Sequence, residues 1–150
     1  MSFEDLYQEI ILDHYRKPRN LCTADLGRVC VKHENPLCGD ELSLYVEVDE
    51  RGRISEICFQ GHGCSISRAS ASMMTEAVKG LERDRALELI ETVRKMMHGE
   101  EPAGDLGDIE ALQGLASYPV RIKCALLSWM ALKDALGGVK LSAEASHGHN

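Results

Sequence analysis

Apolar residues recur at helical spacing in the first segment of the chain and define one face of a predicted helix. That face carries Phe3, Leu6, Tyr7, Ile10, Ile11 and His14. Ser2 and Asp5 have the spacing of a capping box at its start. Pro18 cannot continue a helix. The pattern therefore predicts an amphipathic helix that begins near Ser2 and ends before Pro18.

The apolar period then changes to two, which is typical of half-buried strands. Alternation covers residues 28–32, 41–48 and 54–60. The apolar phase slips between Ile54 and Ile57, which indicates a bulge or a splayed start in the third stretch. We expect three antiparallel strands with one apolar face, and that face needs helices to cover it.

Helical periodicity returns in the rest of the chain. We expect helices over residues 65–79, 84–97, 108–116 and about 120–136. Asp84 is a candidate N-cap, and the Gly137-Gly138 pair is a candidate stop for the last helix. Met73, Met74, Met96 and Met97 are assigned to the core. The predicted fold is α+β, a three-stranded antiparallel sheet packed against several helices, with a single domain over residues 1–141 and a disordered tail over residues 142–150.

Composition narrows the class of protein. A chain of 150 residues forms one domain by default. A net charge of −7 and a pI of about 5.3 argue against non-specific nucleic-acid binding. No apolar run reaches the length of a membrane span, and the first residues lack the features of a secretory signal. We therefore expect a cytoplasmic protein.

Six cysteines raise the question of disulfides against metal or thiol chemistry. In a reducing compartment, spaced cysteines usually indicate metal binding or reactivity, so we expect no disulfide. Cys30 and Cys58 lie in predicted strands with no glycine beside either, and we assign both, together with Cys22, to packing.

Four other residues sit at junctions between predicted elements. Cys38 and Asp40 flank Gly39 in a turn between strands, and Cys64 lies where the third strand becomes a helix. Cys124 is near the start of the last helix. Three thiolates and one carboxylate satisfy tetrahedral zinc. The carboxylate is the harder and more exchangeable ligand, which indicates a reactive site.

Three neighbouring side chains are candidates for supporting roles. Arg121 and Lys123 precede Cys124, and two cations there favour a thiolate and offset the anionic ligand set. His62 precedes Gly63 and is a candidate to hydrogen-bond a metal ligand or to act as an alternative ligand, although a histidine in a loop more often has neither role.

The sequence motifs resemble those of the IscU/SufU/NifU-N family. Residues 35–40 (Asn-Pro-Leu-Cys-Gly-Asp) are similar to the family's first cysteine motif, residues 61–74 to its second cysteine and following helix, and residues 121–125 to its third. The similarity runs from Leu6 to the last helix. It implies the IscU-like fold.

Two departures from the iron–sulfur scaffold IscU favour the SufU branch. Lys123 stands where IscU has a histidine before its third cysteine, and the segment from Cys64 to Cys124 is longer, with an acidic Gly/Pro stretch at residues 98–107. This resemblance implies a zinc-dependent sulfurtransferase that takes persulfide sulfur from a SufS-type cysteine desulfurase and delivers it to iron–sulfur cluster assembly. It implies Cys38, Asp40, Cys64 and Cys124 as zinc ligands and Cys38 as the sulfur acceptor.

Two alternatives remain open at the level of sequence. An iron–sulfur cluster scaffold of the IscU kind uses the same three cysteines. A structural zinc module that only binds partners would use the same ligands without accepting sulfur.

Overall fold

The computed structural model describes residues 3–22, 31–35, 39–102 and 104–145. The helices are α1 (Phe3–Arg16), α2 (Ser65–Val78), α3 (Arg83–Met97), a 3₁₀ helix (Gly107–Leu115) and α4 (Pro119–Ala145). The strands are β1 (Val31–Asn35), β2 (Asp40–Val48) and β3 (Ile54–His62). They form an antiparallel sheet in the order β1-β2-β3. The predicted α+β class is therefore confirmed.

Alternation along the strands produces the apolar face of the sheet. Leu42, Leu44 and Val46 of β2 are buried, as are Ile57 and Phe59 of β3. The helices cover this face, and the four predicted core methionines are buried among them.

The register of the sheet explains the slip in the apolar phase. Val48 pairs with Ile54, and Glu47 pairs with Glu56, so Ser55 is an extra residue on β3. The predicted bulge is confirmed. The first strand differs from its predicted position, because β1 begins at Val31 and residues 28–30 lie outside the described residues.

A buried histidine joins three helices. His14 lies on the predicted inner face of α1 and has no exposed surface. Its Nδ1 is 2.8 Å from the Ser72 Oγ of α2, and its Nε2 is 2.9 Å from Asp108 Oδ2 in the 3₁₀ helix. Leu6, predicted on the same face, is 43% exposed instead. Polar contacts therefore help to orient α1, together with its apolar packing.

Arg19 anchors the turn after α1 through both its side chain and its backbone. Arg19 donates from Nη2 to Asp13 Oδ2 at 2.8 Å, and this hydrogen bond holds the pKa of Asp13 below its usual range. The Arg19 backbone N–H donates to Ser72 Oγ, and the Thr75 hydroxyl donates to the Arg19 carbonyl. Arg19 therefore fixes the path of the chain as it leaves α1 toward the sheet.

Cys22 and Cys58 form a disulfide, so the expectation that they are free packing residues is wrong. The path of the chain after α1 brings the two cysteines together. Leu21 pairs with Phe59 on the open edge of β3, and the Cys22 N–H donates to the Phe59 carbonyl at 2.9 Å. This pairing brings the Cα atoms of Cys22 and Cys58 to 5.0 Å, and the sulfurs are bonded. The two cysteines are 36 positions apart, too far for local spacing to reveal the pairing. Cys30 lies outside the described residues.

Two predicted helix ends need correction. Glu82 is the N-cap residue of α3, without a side-chain capping bond, whereas Asp84 lies in the first turn and accepts from Arg83. The helix expected over residues 108–116 is a 3₁₀ helix.

The last helix does not stop at Gly137-Gly138, and α4 continues to Ala145 over 27 residues. Glycine inside a helix costs only about 1 kcal/mol relative to alanine, so a helix can run through it. Residues 142–145 of the predicted tail therefore belong to α4, while residues 146–150 lie outside the described part of the chain. Neither α4 nor another helix of the described ranges is long and apolar enough to cross a membrane.

The disulfide generates a stability prediction. A double variant, Cys22→Ser with Cys58→Ser, should lower the free energy of unfolding by about 2–4 kcal/mol, because the crosslink closes a long loop in the unfolded chain. Denaturant unfolding without reductant measures this difference. With excess dithiothreitol, the wild type and the variant should unfold alike. Equal stability without reductant would show that the crosslink contributes nothing.

Candidate metal centre

Three potential metal ligands from different elements converge in the structure. Asp40 is the first residue of β2, Cys64 lies between β3 and α2, and Cys124 is in the second turn of α4. Their ligand atoms all lie within 4.8 Å of one another. Asp40 and Cys124 are 2% and 3% exposed, and Cys64 is partly exposed. Sequence reasoning singled out all three residues, and the fold brings them together.

Asp40 and Cys64 are coupled through the start of α2. Cys64 is the N-cap residue of α2, in an extended conformation, but its side chain makes no capping bond. Asp40 satisfies the helix start instead, because its Oδ1 accepts the Cys64 N–H at 2.7 Å. Its Oδ2 lies 3.5 Å from Cys64 Sγ. One carboxylate therefore caps a helix and faces a thiol, and the positive end of the helix favours its charge.

Two glycines create the space for this arrangement. A Cβ on Gly61, which has a φ of 141°, would overlap the Glu41 carbonyl of β2. A Cβ on Gly63 would lie 2.5 Å from Asp40 Oδ1 and 2.8 Å from Ser67 Oγ. The first glycine lets β3 close on β2, and the second leaves room for the Asp40 carboxylate.

Cys124 is held in place by a contact between α2 and α4. The buried Ser70 hydroxyl of α2 donates to the Ala125 carbonyl at 2.6 Å, and Trp129 Nε1 donates to Ser70 Oγ at 3.0 Å. Ala125 follows Cys124 directly. The position of the thiol therefore depends on packing between the two helices rather than on a flexible loop.

The donors present fit zinc. Two thiols and a carboxylate are ligand types that zinc takes up readily. Zn–S bonds of about 2.3 Å place two sulfurs on one ion no more than about 4.6 Å apart, so only small side-chain shifts are needed. Such a centre keeps one tetrahedral position for a further ligand.

The remaining predicted site residues are placed as follows. Cys38 lies outside the described residues, so its role stays a prediction. His62 is exposed, and its Nε2 is 3.7 Å from Glu41 Oε1 on the neighbouring strand. Arg121 and Lys123 are exposed, and the Arg121 guanidinium lies 5.2 Å from the centre of the Tyr118 ring. Their supporting roles also stay predictions.

Sequence reasoning did not identify the polar face of α2. Ser67 and Ser70 are spaced by one helical turn and are both buried, Ser67 beside Cys64 and Ser70 beside Ala125. The sequence did carry a signal for this polar face, because a run of small polar residues follows the cysteine motif and buried serines need hydrogen-bond partners. That run begins directly after Cys64.

Comparison with known proteins finds relatives over most of the chain. The family model described as the NifU-like N terminal domain matches residues 6–125. The zinc-dependent sulfurtransferase SufU of Bacillus subtilis (strain 168) is 47% identical over 138 residues, which cover 90% of this chain and 92% of that protein. The iron–sulfur cluster assembly scaffold protein IscU of Streptococcus pyogenes serotype M1 is 45% identical, covering 95% of this chain and 87% of that protein.

A solved structure shows the same fold. The crystal structure of a putative iron–sulfur cluster assembly scaffold protein for the SUF system, from Fervidobacterium islandicum AW-1, superposes with a TM-score of 0.79 at 34% identity. The match covers 89% of this chain and 98% of that one. Relatives named sulfurtransferase and scaffold are nearly equally similar, so similarity alone does not decide the chemical step. It does decide the family: the chain belongs to the NifU-like N-terminal domain family, together with these SufU and IscU proteins.

Proposed function

We propose that this protein is a zinc-dependent sulfurtransferase that accepts persulfide sulfur on Cys38 from a SufS-type cysteine desulfurase and delivers it to iron–sulfur cluster assembly. The observation that carries the proposal is the convergence of Asp40 with Cys64 and Cys124. A buried carboxylate in a thiol site provides an exchangeable ligand, which a purely structural centre does not need. The name of the Bacillus subtilis relative supports the same activity.

The proposed ligands are Asp40, Cys64, Cys124 and Cys38. Zinc, when bound, would hold cysteine ligands as thiolates at neutral pH. Asp40 Oδ1 is already occupied by the Cys64 N–H, which leaves Oδ2 as the oxygen available to the ion. Asp40 therefore should bind through one oxygen while the other keeps the start of α2 in place.

Connectivity supports Cys38 as the fourth ligand. Two residues of chain span at most about 7 Å, so the Cα of Cys38 cannot lie farther than that from the Cα of Asp40. Asn35 and Asp40 are register partners, so β1 and β2 hold the two ends of the intervening segment together. By sequence, Cys38 lies between Pro36 and Gly39, two residues that favour turns, and a thiol on a turn meets a donor more easily than one on a helix or strand.

Sulfur transfer to Cys38 needs no oxidant. The Cys38 thiolate attacks the terminal sulfur of the donor persulfide, a new S–S bond forms, and the donor's S–S bond breaks. The donor cysteine leaves as a thiolate, and Cys38 carries the sulfur with its hydrogen as a persulfide. Arg121 and Lys123 supply positive charge on α4 close to the third cysteine, suited to an anionic donor group or an acidic partner surface.

The second candidate function is an iron–sulfur cluster scaffold. The Streptococcus pyogenes relative carries that name at 45% identity. Lys123 in place of the scaffold's histidine favours sulfur transfer over this alternative. The two functions predict different bound metals in the purified protein, zinc without visible absorbance for transfer and a coloured iron–sulfur cluster for the scaffold.

The proposal predicts the outcome of a desulfurase assay. The wild-type protein should accelerate alanine release from cysteine by a SufS-type desulfurase, because it removes the persulfide from the enzyme. The Cys38→Ala variant should leave the rate at its basal value and gain no sulfur by mass spectrometry. Zinc content, measured on the same samples, reports the state of the centre.

A matched control removes two cysteines outside the centre. The Cys22→Ser/Cys58→Ser double variant should accelerate the desulfurase as the wild type does. Full sulfur acceptance by Cys38→Ala would show that Cys38 is not the acceptor. A zinc-loaded wild type that leaves the desulfurase rate unchanged would instead indicate a structural zinc module.

Gly63 provides a second test, directed at the centre itself. The Gly63→Ala variant should weaken zinc retention by about 10-fold or more in chelator competition, because the added methyl group displaces the Asp40 carboxylate. Gly114→Ala is the control, since its Cβ would meet only the Tyr7 ring at an ordinary 3.8 Å. Equal zinc affinity in the Gly63 and Gly114 variants would exclude Asp40 as a ligand in this geometry.

A further inference from the structure

A buried hydroxyl lies against one of the two described thiols. Ser67 is 5% exposed and stands one helical turn after Cys64. Its Oγ is 3.1 Å from the Cys64 carbonyl oxygen, to which it donates, and 3.8 Å from Cys64 Sγ. Gly63 borders the same space, because a Cβ atom added to Gly63 would lie 2.8 Å from Ser67 Oγ. The hydroxyl is therefore packed beside the sulfur and cannot turn to solvent.

The hydrogen bonds of Cys64 Sγ must change when it becomes a metal ligand. As a thiol it has one proton, with Asp40 Oδ2 and Ser67 Oγ as acceptors. As a thiolate it only accepts. Of these two neighbours only Ser67 can donate, because a carboxylate has no proton. To do so, the Ser67 hydroxyl must turn its one proton from the Cys64 carbonyl to the sulfur, and that carbonyl still accepts the Arg68 N–H at 3.2 Å.

We propose that Ser67 is a positioning residue that keeps Cys64 a resident ligand of the metal centre, by donating an O–H···S hydrogen bond to its thiolate. A thiolate that accepts a hydrogen bond holds its charge more tightly and attacks electrophiles more slowly. The two cysteines of the proposed transfer reaction therefore differ in role: Cys64 stays on the metal and Cys38 takes the sulfur. This inference rests on the proposed function and adds to it which cysteine stays bound to the metal.

Alkylation measures the reactivity of Cys64 directly. Zinc-loaded wild type, Ser67→Ala and the control Ser65→Ala are treated with limiting iodoacetamide, in which the sulfur–carbon bond forms as iodide leaves. Peptide mass spectrometry then gives the rate at each cysteine. We expect Ser67→Ala to raise the Cys64 rate by about 2- to 10-fold, the equivalent of one ordinary hydrogen bond, and Ser65→Ala to leave it unchanged.

A spectroscopic readout separates positioning from a general structural role. In the cobalt-substituted protein, loss of a hydrogen bond to sulfur should move the thiolate-to-cobalt charge-transfer band of Ser67→Ala to longer wavelength, with no shift in Ser65→Ala. Folding of each variant is checked by circular dichroism of the same samples.

Two alkylation results would overturn the inference: a Cys64 alkylation rate in Ser67→Ala equal to that of wild type, or equal increases in both serine variants. An unshifted cobalt band would have the same meaning. Failure of the proposed function is distinguishable, because it appears as an unchanged desulfurase rate with the wild-type protein. A wild type that binds neither zinc nor cobalt would overturn both.

Discussion

The hydrogen bond from the Cys64 N–H to the Asp40 carboxylate, 2.7 Å long, is the contact on which the centre depends. It crosses from the end of β3 to the start of β2 and caps α2 from outside the helix. A buried carboxylate is expensive unless it is hydrogen-bonded, and the helix start supplies both a donor and a favourable dipole. The same contact holds the carboxylate beside the Cys64 sulfur, so folding of the sheet and α2 assembles half of the ligand set.

The position of Cys124 relative to Cys64 depends on buried polar residues of α2. Its buried serines are bonded in two directions, Ser70 toward α4 and Ser72 toward His14 and the Arg19 turn. An apolar helix at this position would pack with less directional preference. Hydroxyls with fixed partners instead set the distance between Cys64 on α2 and Cys124 on α4. Rigidity of this kind would suit the proposed centre, in which one ligand exchanges while the others stay in place.

Local patterns in the sequence predicted much of the fold because each element carries its own periodicity. The alternation of β2, the slip at Ile54 and the amphipathic pattern of α3 all reappear in the structure. The three candidate ligands that the structure describes were predictable because glycines and junctions mark them. What the sequence could not reveal depends on long-range contact: the Cys22–Cys58 disulfide requires the parallel pairing of Leu21 with β3.

Local sequence patterns also failed to predict the end of α4 and the contacts of Ser67. The continuation of α4 past Gly137-Gly138 shows that a glycine pair is a weak stop signal. Ser65 and Ser67 are both serines just after Cys64, and only the fold shows that Ser67 is the one that contacts the Cys64 sulfur. Motif similarity supplied the proposed role of Cys38 as sulfur acceptor and the chemistry of the donor, neither of which follows from periodicity.

The central claim is a zinc centre with three sulfur ligands and one carboxylate oxygen. X-ray absorption at the zinc edge of the purified, zinc-loaded protein tests it most directly. The account predicts three sulfurs at about 2.3 Å and one oxygen at about 2.0–2.2 Å. Four sulfurs, or a shell without sulfur, would contradict it.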